Sequence, residues 1–223
     1  MSVMDLTAAQ ARVIGCLIEK AQTTPDSYPL SSNALTNACN QTTNRQPVVD
    51  YTEREVDALM LELREMKLAR TVTGSGHRVG KHKHVVDEAL GLDGHELAVL
   101  AALLLRGPQT RNEIATRTER YGDGPQGDPT AVDAAIDRLA GRDEPLVVRL
   151  ARRSGEREPR VDQCWAATHD GAPPAEPPPP APAPTPVPAP AAPDLEQRVA
   201  ALEAALAEQT RRLDDLLGEG TGV

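Results

Sequence analysis

Phenylalanine is absent from this 223-residue chain, and its only aromatic residues are Tyr28, Tyr51, Tyr121 and Trp165. Its cores must therefore be aliphatic, which suits thin helical domains. The same scarcity argues against single-strand nucleic-acid binding by base stacking, which needs several exposed rings. Cysteine is almost as rare. Cys16, Cys39 and Cys164 are odd in number and form no CxxC pair, so neither a disulfide framework nor a zinc site is indicated. Cys16 and Cys39 sit among apolar helix positions and read as small hydrophobes. Long apolar runs are missing too. The longest, such as 97–105, is too short to span a bilayer, so no membrane partner is expected. Residues 1–6 do not read as a signal peptide, and a reducing cytoplasm is the expected address.

A positive balance is also lacking: the net charge is −9. Its distribution matters more than its sum. Residues 1–91 carry 10 basic and 11 acidic side chains, residues 92–170 carry 11 and 14, and the tail from 171 carries 3 and 8. More than half of the excess acid thus lies outside the expected domains, and the bulk charge does not exclude nucleic acid.

The periodicity predicts mainly helix with small hairpins, an α+β chain. Leu6, Ala9, Val13 and Leu17, flanked by Ile14 and Ile18, form one helical stripe. Thr7 or Asp5 can cap it, and Pro25 forbids its continuation. A short helix opened by Ser31 or Ser32 runs through Ala38. A polar stretch over 40–47 follows. Thr52 and Glu55 then form a capping box for a helix to about Met66. Residues 68–72 and 78–86 flank Gly74-Ser75-Gly76 and read as a hairpin. The order then repeats. Helices are expected over 96–106, 110–118 and 130–140, with Thr110 and Glu113 as a second cap pair. Strands are expected over 146–150 and 160–166.

The repeat is visible in residues. Val56-Asp57-Ala58 with Leu63 matches Val132-Asp133-Ala134 with Leu139 at an offset of 76, while Val13 and Val99 align at 86. About ten extra residues are therefore expected in the first copy, placed by the sequence in its Asn- and Thr-rich loop. The helix–helix–helix–hairpin order is the winged-helix plan, a helix-turn-helix with a β wing. The expected domains are 5–88 and 92–168, tandem winged-helix units. A Pro/Ala-rich disordered linker over 171–193 is an extended spacer. Residues 194–218 then carry a heptad seam: Leu195, Val199, Leu202, Leu206, Gln209, Leu213 and Leu216. A lone helix of that length is marginal in water, so a partner helix is implied. Self-association into a homo-oligomer is the first expectation, and docking on another protein the second.

One run is more specific than the plan. Residues 12–20, 23–31 and 33–41, from Arg12-Val13-Ile14-Gly15-Cys16 through Asn33-Ala34-Leu35-Thr36-Asn37, resemble the YceH-like family. The resemblance continues through Asn44-Arg45 and Pro47-Val48 and, more loosely, over residues 5–166. It implies bacterial relatives with two winged-helix units and a terminal coiled-coil-like helix. The long Pro/Ala spacer departs from that pattern. The resemblance carries over no activity.

Double-stranded DNA is the default ligand of a winged helix, with the third helix in the major groove and the wing on the backbone. Residues 64–84 hold Arg64, Lys67, Arg70, Arg78, Lys81 and Lys83 against Glu65 alone. Residues 149–160 hold Arg149, Arg152, Arg153, Arg157 and Arg160 against Glu156 and Glu158. Such patches attract phosphates. The polar loop offers Asn40, Gln41, Thr42, Asn44 and Arg45, which are base-reading or phosphate-contacting types. The same residue types also bond their own backbone and hold loops. The third helices are acidic on their outward positions (Glu53, Glu55, Asp57 and Glu62, then Asp133 and Asp137), which repels phosphates. Acidic helices, a long spacer and a coiled coil equally fit an adaptor that binds a protein partner. An enzyme is the least supported reading. There is no P-loop, and Gly74-x-Gly76 lacks the strand-to-helix context of a dinucleotide site. His82 and His84 share a strand face with His77 nearby, but no carboxylate or Cys completes a metal set. They are expected to be exposed strand histidines. No cofactor is indicated.

Overall fold

The computed structural model describes residues 6–73, 80–152 and 155–166, together with 203, 204, 207, 208 and 210. The chain divides into two units, Met1–Gly171 and Ala172–Val223. In the second unit the described residues Glu203, Ala204, Ala207, Glu208 and Thr210 are helical and exposed. The seven seam positions and the Pro/Ala segment lie outside the described residues.

Local hydrogen bonds set the helix starts in the first unit. Helix α1, Ala8–Thr23, begins at a capping box in which the Thr7 hydroxyl accepts from the Gln10 amide and the Gln10 side chain accepts from the Thr7 amide. Leu6 is not part of this helix. It precedes the cap, is buried, and donates its N–H to the Trp165 carbonyl at 3.0 Å. Helix α2, Ser32–Cys39, is capped by Ser31. Helix α3, Glu53–Glu65, starts at the Thr52–Glu55 box. Strands β1, Ala69–Val72, and β2, Lys81–His84, pair antiparallel. The second strand is shorter than its sequence suggests: α4, Val86–Leu90, begins there instead, ended by Gly91 at φ 62°.

The second half repeats the order. Helix α5, Gly94–Arg106, has an Asp93–Glu96 capping box. Then come β3, Gln109–Thr110; α6, Arg111–Thr118; α7, Pro129–Ala140; β4, Val147–Arg149; and β5, Arg160–Gln163. The sheet order is β3-β5-β4, all antiparallel. β3 has a counterpart in the first half, where Leu30 and His82 exchange backbone hydrogen bonds of 3.0 and 2.7 Å. Each half is therefore helix, strand contact, helix, helix, strand, strand.

One hydrophobic cluster runs through both halves. Its centre is α5, buried at every position from Leu97 to Leu105, as a helix apolar on all sides must be. The neighbour is α1. At Gly15 an added Cβ would stand 2.9 Å from Leu105 Cγ and 3.3 Å from Leu104 Cβ, so glycine permits the helices to approach. The repeat partners Val13 and Val99, Val56 and Val132, and Leu63 and Leu139 are all fully buried.

The extra residues of the first half are not confined to the polar loop. α1 has 16 residues against 13 in α5. The connection to the next helix takes 8 residues (24–31) against 4 (107–110), and the loop before the third helix takes 13 (40–52) against 10 (119–128). The sequence has no signal for this spreading, because helix length and loop length trade off without changing the core positions.

Candidate nucleic-acid interface

The polar loop leaves α2 where four carbonyls lack helical partners. Buried arginines take two of them. Arg12 donates to the Cys39 carbonyl at 3.2 Å and to the Pro47 carbonyl at 2.6 Å, and Arg45 Nε donates to the Ala38 carbonyl at 3.0 Å. The Cys16 thiol also donates to the Ala38 carbonyl, at 3.3 Å. Cys16 and Cys39 are buried free thiols.

Arg45 is only 4 % exposed. Its two terminal nitrogens grip Glu19, at 3.0 Å to Oε1 and 2.5 Å to Oε2. Burial is the largest influence and works against this charge, but the hydrogen bonds to Glu19 together with the neighbouring Cys16, Glu19 and Tyr121 hold the guanidinium above its ordinary value. Asn40 closes the loop from the other end, donating to the Tyr51 carbonyl at 2.7 Å and accepting from the Tyr51 amide at 2.8 Å. Asn44 sits at φ 62°, a conformation asparagine tolerates. Asn40 and Arg45 thus hold the protein's own backbone. Gln41, Thr42 and Asn44 remain at the surface.

The β1–β2 hairpin sorts its residues by strand alternation. Ala69, Thr71, His82 and His84 face inward; Arg70, Val72, Lys81 and Lys83 face outward. The two histidines share a face as expected, but His82 is buried and His84 half-buried rather than exposed. His82 Nε2 lies 3.0 Å from the Ser32 hydroxyl, which itself donates to Asp57 at 2.6 Å, and His82 Nδ1 lies 3.2 Å from the Thr71 hydroxyl. Burial holds the His82 imidazole below its ordinary value, against the pull of Asp57. His84 is lowered for the same reason, opposed by Asp87 at 3.5 Å. This network ties the wing to α2 and α3. On the outward face Arg70 stands directly opposite Lys83, and Arg70 also meets Glu88 at 3.1 Å in an exposed pair. Arg78 lies outside the described residues.

The β4–β5 hairpin differs. Arg149 bridges Asp137 at 2.7 Å and Asp133 at 3.3 Å, and Arg160 bridges Glu156 and Glu113 at 3.0 and 3.2 Å. Two of its five basic residues are therefore spent internally. Arg152 and Arg157 are exposed, and Arg153 lies outside the described residues. The same bonds change the meaning of the acidic third helices. Asp133 also binds Arg111 at 2.8 Å. In α3, Glu55 is a cap, Glu62 accepts from Gln10 at 2.8 Å, and Asp57 accepts from Ser32. Most of these carboxylates serve the fold.

Gln41 and Asn44 instead reach a cleft of about 560 Å³ between α1, the polar loop, α5 and α6, where Lys20, Arg106, Arg117 and Arg120 gather. Sequence reading did not single out those four, because they come from three separate helical segments. Among the described residues no three His, Cys, Asp or Glu side chains converge as metal ligands, and no helix is long and apolar enough to cross a membrane.

Comparison with known proteins places this geometry among relatives. Residues 6–156 match the family described as "Protein of unknown function, DUF480". The UPF0502 protein YceH of Salmonella newport is 42% identical over 218 residues, covering 96% of each chain. The YceH proteins of Salmonella heidelberg and Salmonella paratyphi B match with the same identity and coverage.

Proposed function

The chain belongs to the DUF480 family and to the YceH proteins of UPF0502, and on that premise we propose that it is a non-enzymatic, cytoplasmic, tandem winged-helix protein that binds the backbone of double-stranded DNA through its first wing. The observation that carries this reading is the outward face of β1 and β2. Arg70 and Lys83 are direct cross-strand partners, with Lys81 on the same face. Like charges placed opposite each other destabilise a sheet. A phosphate relieves that repulsion and releases counterions. Exposed Arg152 and Arg157 on the second wing add a weaker contact. The C-terminal helix supplies self-association, as its heptad spacing implies.

Fluorescence anisotropy of a labelled random duplex tests the proposal. The wild type binds at low salt, and the logarithm of its affinity falls with that of the salt concentration. Lys81→Glu with Lys83→Glu weakens binding and flattens that slope by about 0.9 for each lost phosphate contact. Absence of binding at low salt, or an unchanged slope, removes the reading.

A protein-adaptor reading is favoured by one observation. Leu61 is 57 % exposed on the outward side of α3, beside acids that the fold already uses. A partner docked there would be released by Leu61→Glu while DNA binding stays intact.

A further inference from the structure

We infer that the cleft between α1, the polar loop, α5 and α6 is a binding site for a small phosphorylated ligand, separate from the DNA surface of the wing. Its volume of about 560 Å³ falls in the range of small-molecule sites. Its walls come from both halves of the repeat, yet they share one electrostatic character. Lys20, Arg106, Arg117 and Arg120 line it. Among the described residues the one acid on its wall is Glu19, which has both carboxylate oxygens bonded to Arg45, and Lys20 stands 3.9 Å from it. One carboxylate, already paired with Arg45, thus faces four cations, and the cleft keeps an excess of positive charge.

The hydrogen-bonding capacity points the same way. Arg106 is half-buried, with no hydrogen bond or ion pair to any described residue; burial and the neighbouring Arg117 charge hold its guanidinium below the ordinary value. Among the described residues Arg117 donates only to the neutral amide oxygen of Gln109. The amide oxygen of Gln41 is taken by Arg45, at 3.0 Å, which leaves its NH2 group to donate. Tyr121 is 6 % exposed and lines the cleft, and its hydroxyl has no hydrogen-bond partner among the described residues. Burial raises the Tyr121 phenol above its ordinary value, so it stays protonated and donates. The cleft is thus rich in donors and in positive charge. A phosphate is rich in acceptors and in negative charge, and guanidinium groups bind it through paired, charge-assisted hydrogen bonds. The walls offer no exposed aromatic face for a base, so recognition rests on the phosphates.

The test is isothermal titration of the full chain with inorganic phosphate, pyrophosphate and ATP, each at constant ionic strength. Saturable binding of pyrophosphate is expected, and ATP binds comparably if the phosphates alone are read. Arg120→Gln lies at an exposed position and Tyr121→Phe removes one hydroxyl, so both variants keep the fold. Arg120→Gln weakens binding about tenfold, the loss of one charge-assisted hydrogen bond, and Tyr121→Phe also weakens it. No binding of any of the three, or binding unchanged in both variants, overturns the inference. Duplex DNA binding that falls in Arg120→Gln as far as in the wing variant would put the cleft on the DNA surface and overturn it as well. Loss of DNA binding in the wing variant alone leaves pyrophosphate binding unaffected, so the two readings fail separately.

Discussion

Replacing Arg45 by Met should unfold the polar loop more severely than its position in a surface segment suggests. The side chain is fully buried within the Glu19 pair, while the Glu19 side chain is 11% exposed. Its removal strands a carboxylate that has lost a bidentate partner and keeps Lys20 at 3.9 Å. It also frees the Asn44 carbonyl, which accepts from Arg45, and leaves the Ala38 carbonyl at the end of α2 with the Cys16 thiol in place of both donors. Removing one partner of a buried pair costs about 3–5 kcal/mol. For a unit of this size that lowers the melting temperature by about 6–20 °C, at about 2–4 °C per kcal/mol. The double variant Glu19→Gln with Arg45→Met removes the stranded charge and should recover a large part of the loss. Urea denaturation followed by circular dichroism measures all three proteins. An Arg45→Met cost below about 1 kcal/mol, the worth of an exposed pair, would refute the reasoning. So would a double variant no more stable than the single one.

Other perturbations have equally defined outcomes. Gly15→Val drives two methyl groups into Leu105 and should cost about 1–3 kcal/mol in urea titration, with Leu105→Ala on the same chain returning part of it. Asn40→Ala loses both bonds to the Tyr51 backbone and should cost about 1–3 kcal/mol by the same measurement. Acid should loosen the first wing. His82 faces Ser32, Thr71, Asp57 and Arg64, and His84 faces Tyr28, Asp87, Lys83 and Glu88; both imidazoles are held below their ordinary value by burial. The unfolded chain therefore binds more protons, so stability is full above about pH 6.5 and falls as pH drops through the folded values. Urea midpoints at a series of pH values check this, and His82→Gln should flatten the decline.

The structure alters how the surface charges are counted. Arg149 and Arg160 looked like free wing cations, and Asp133 and Asp137 like a repulsive helix face. The bonds of Arg149 to both aspartates, and of Arg160 to Glu113 and Glu156, cancel much of both. Among the described residues the β1–β2 hairpin and the interhelical cleft are what remain as concentrations of positive charge.

What the sequence by itself determined is the local part of the fold. The Thr52–Glu55 and Thr110–Glu113 boxes form where the residues predict, because cap and partner lie three positions apart. The buried stripes and the internal repeat were equally legible, since helical periodicity reports burial directly. Tertiary structure alone decided where the polar residues point. Arg45 meets Glu19 from 26 positions away, and Arg149 meets Asp137 across a helix and a strand. β3 escaped notice because two residues have no period to read. The cleft escaped because its cations lie on helices from different halves. Charge pairing depends on distance in space, and no spacing along the chain encodes it.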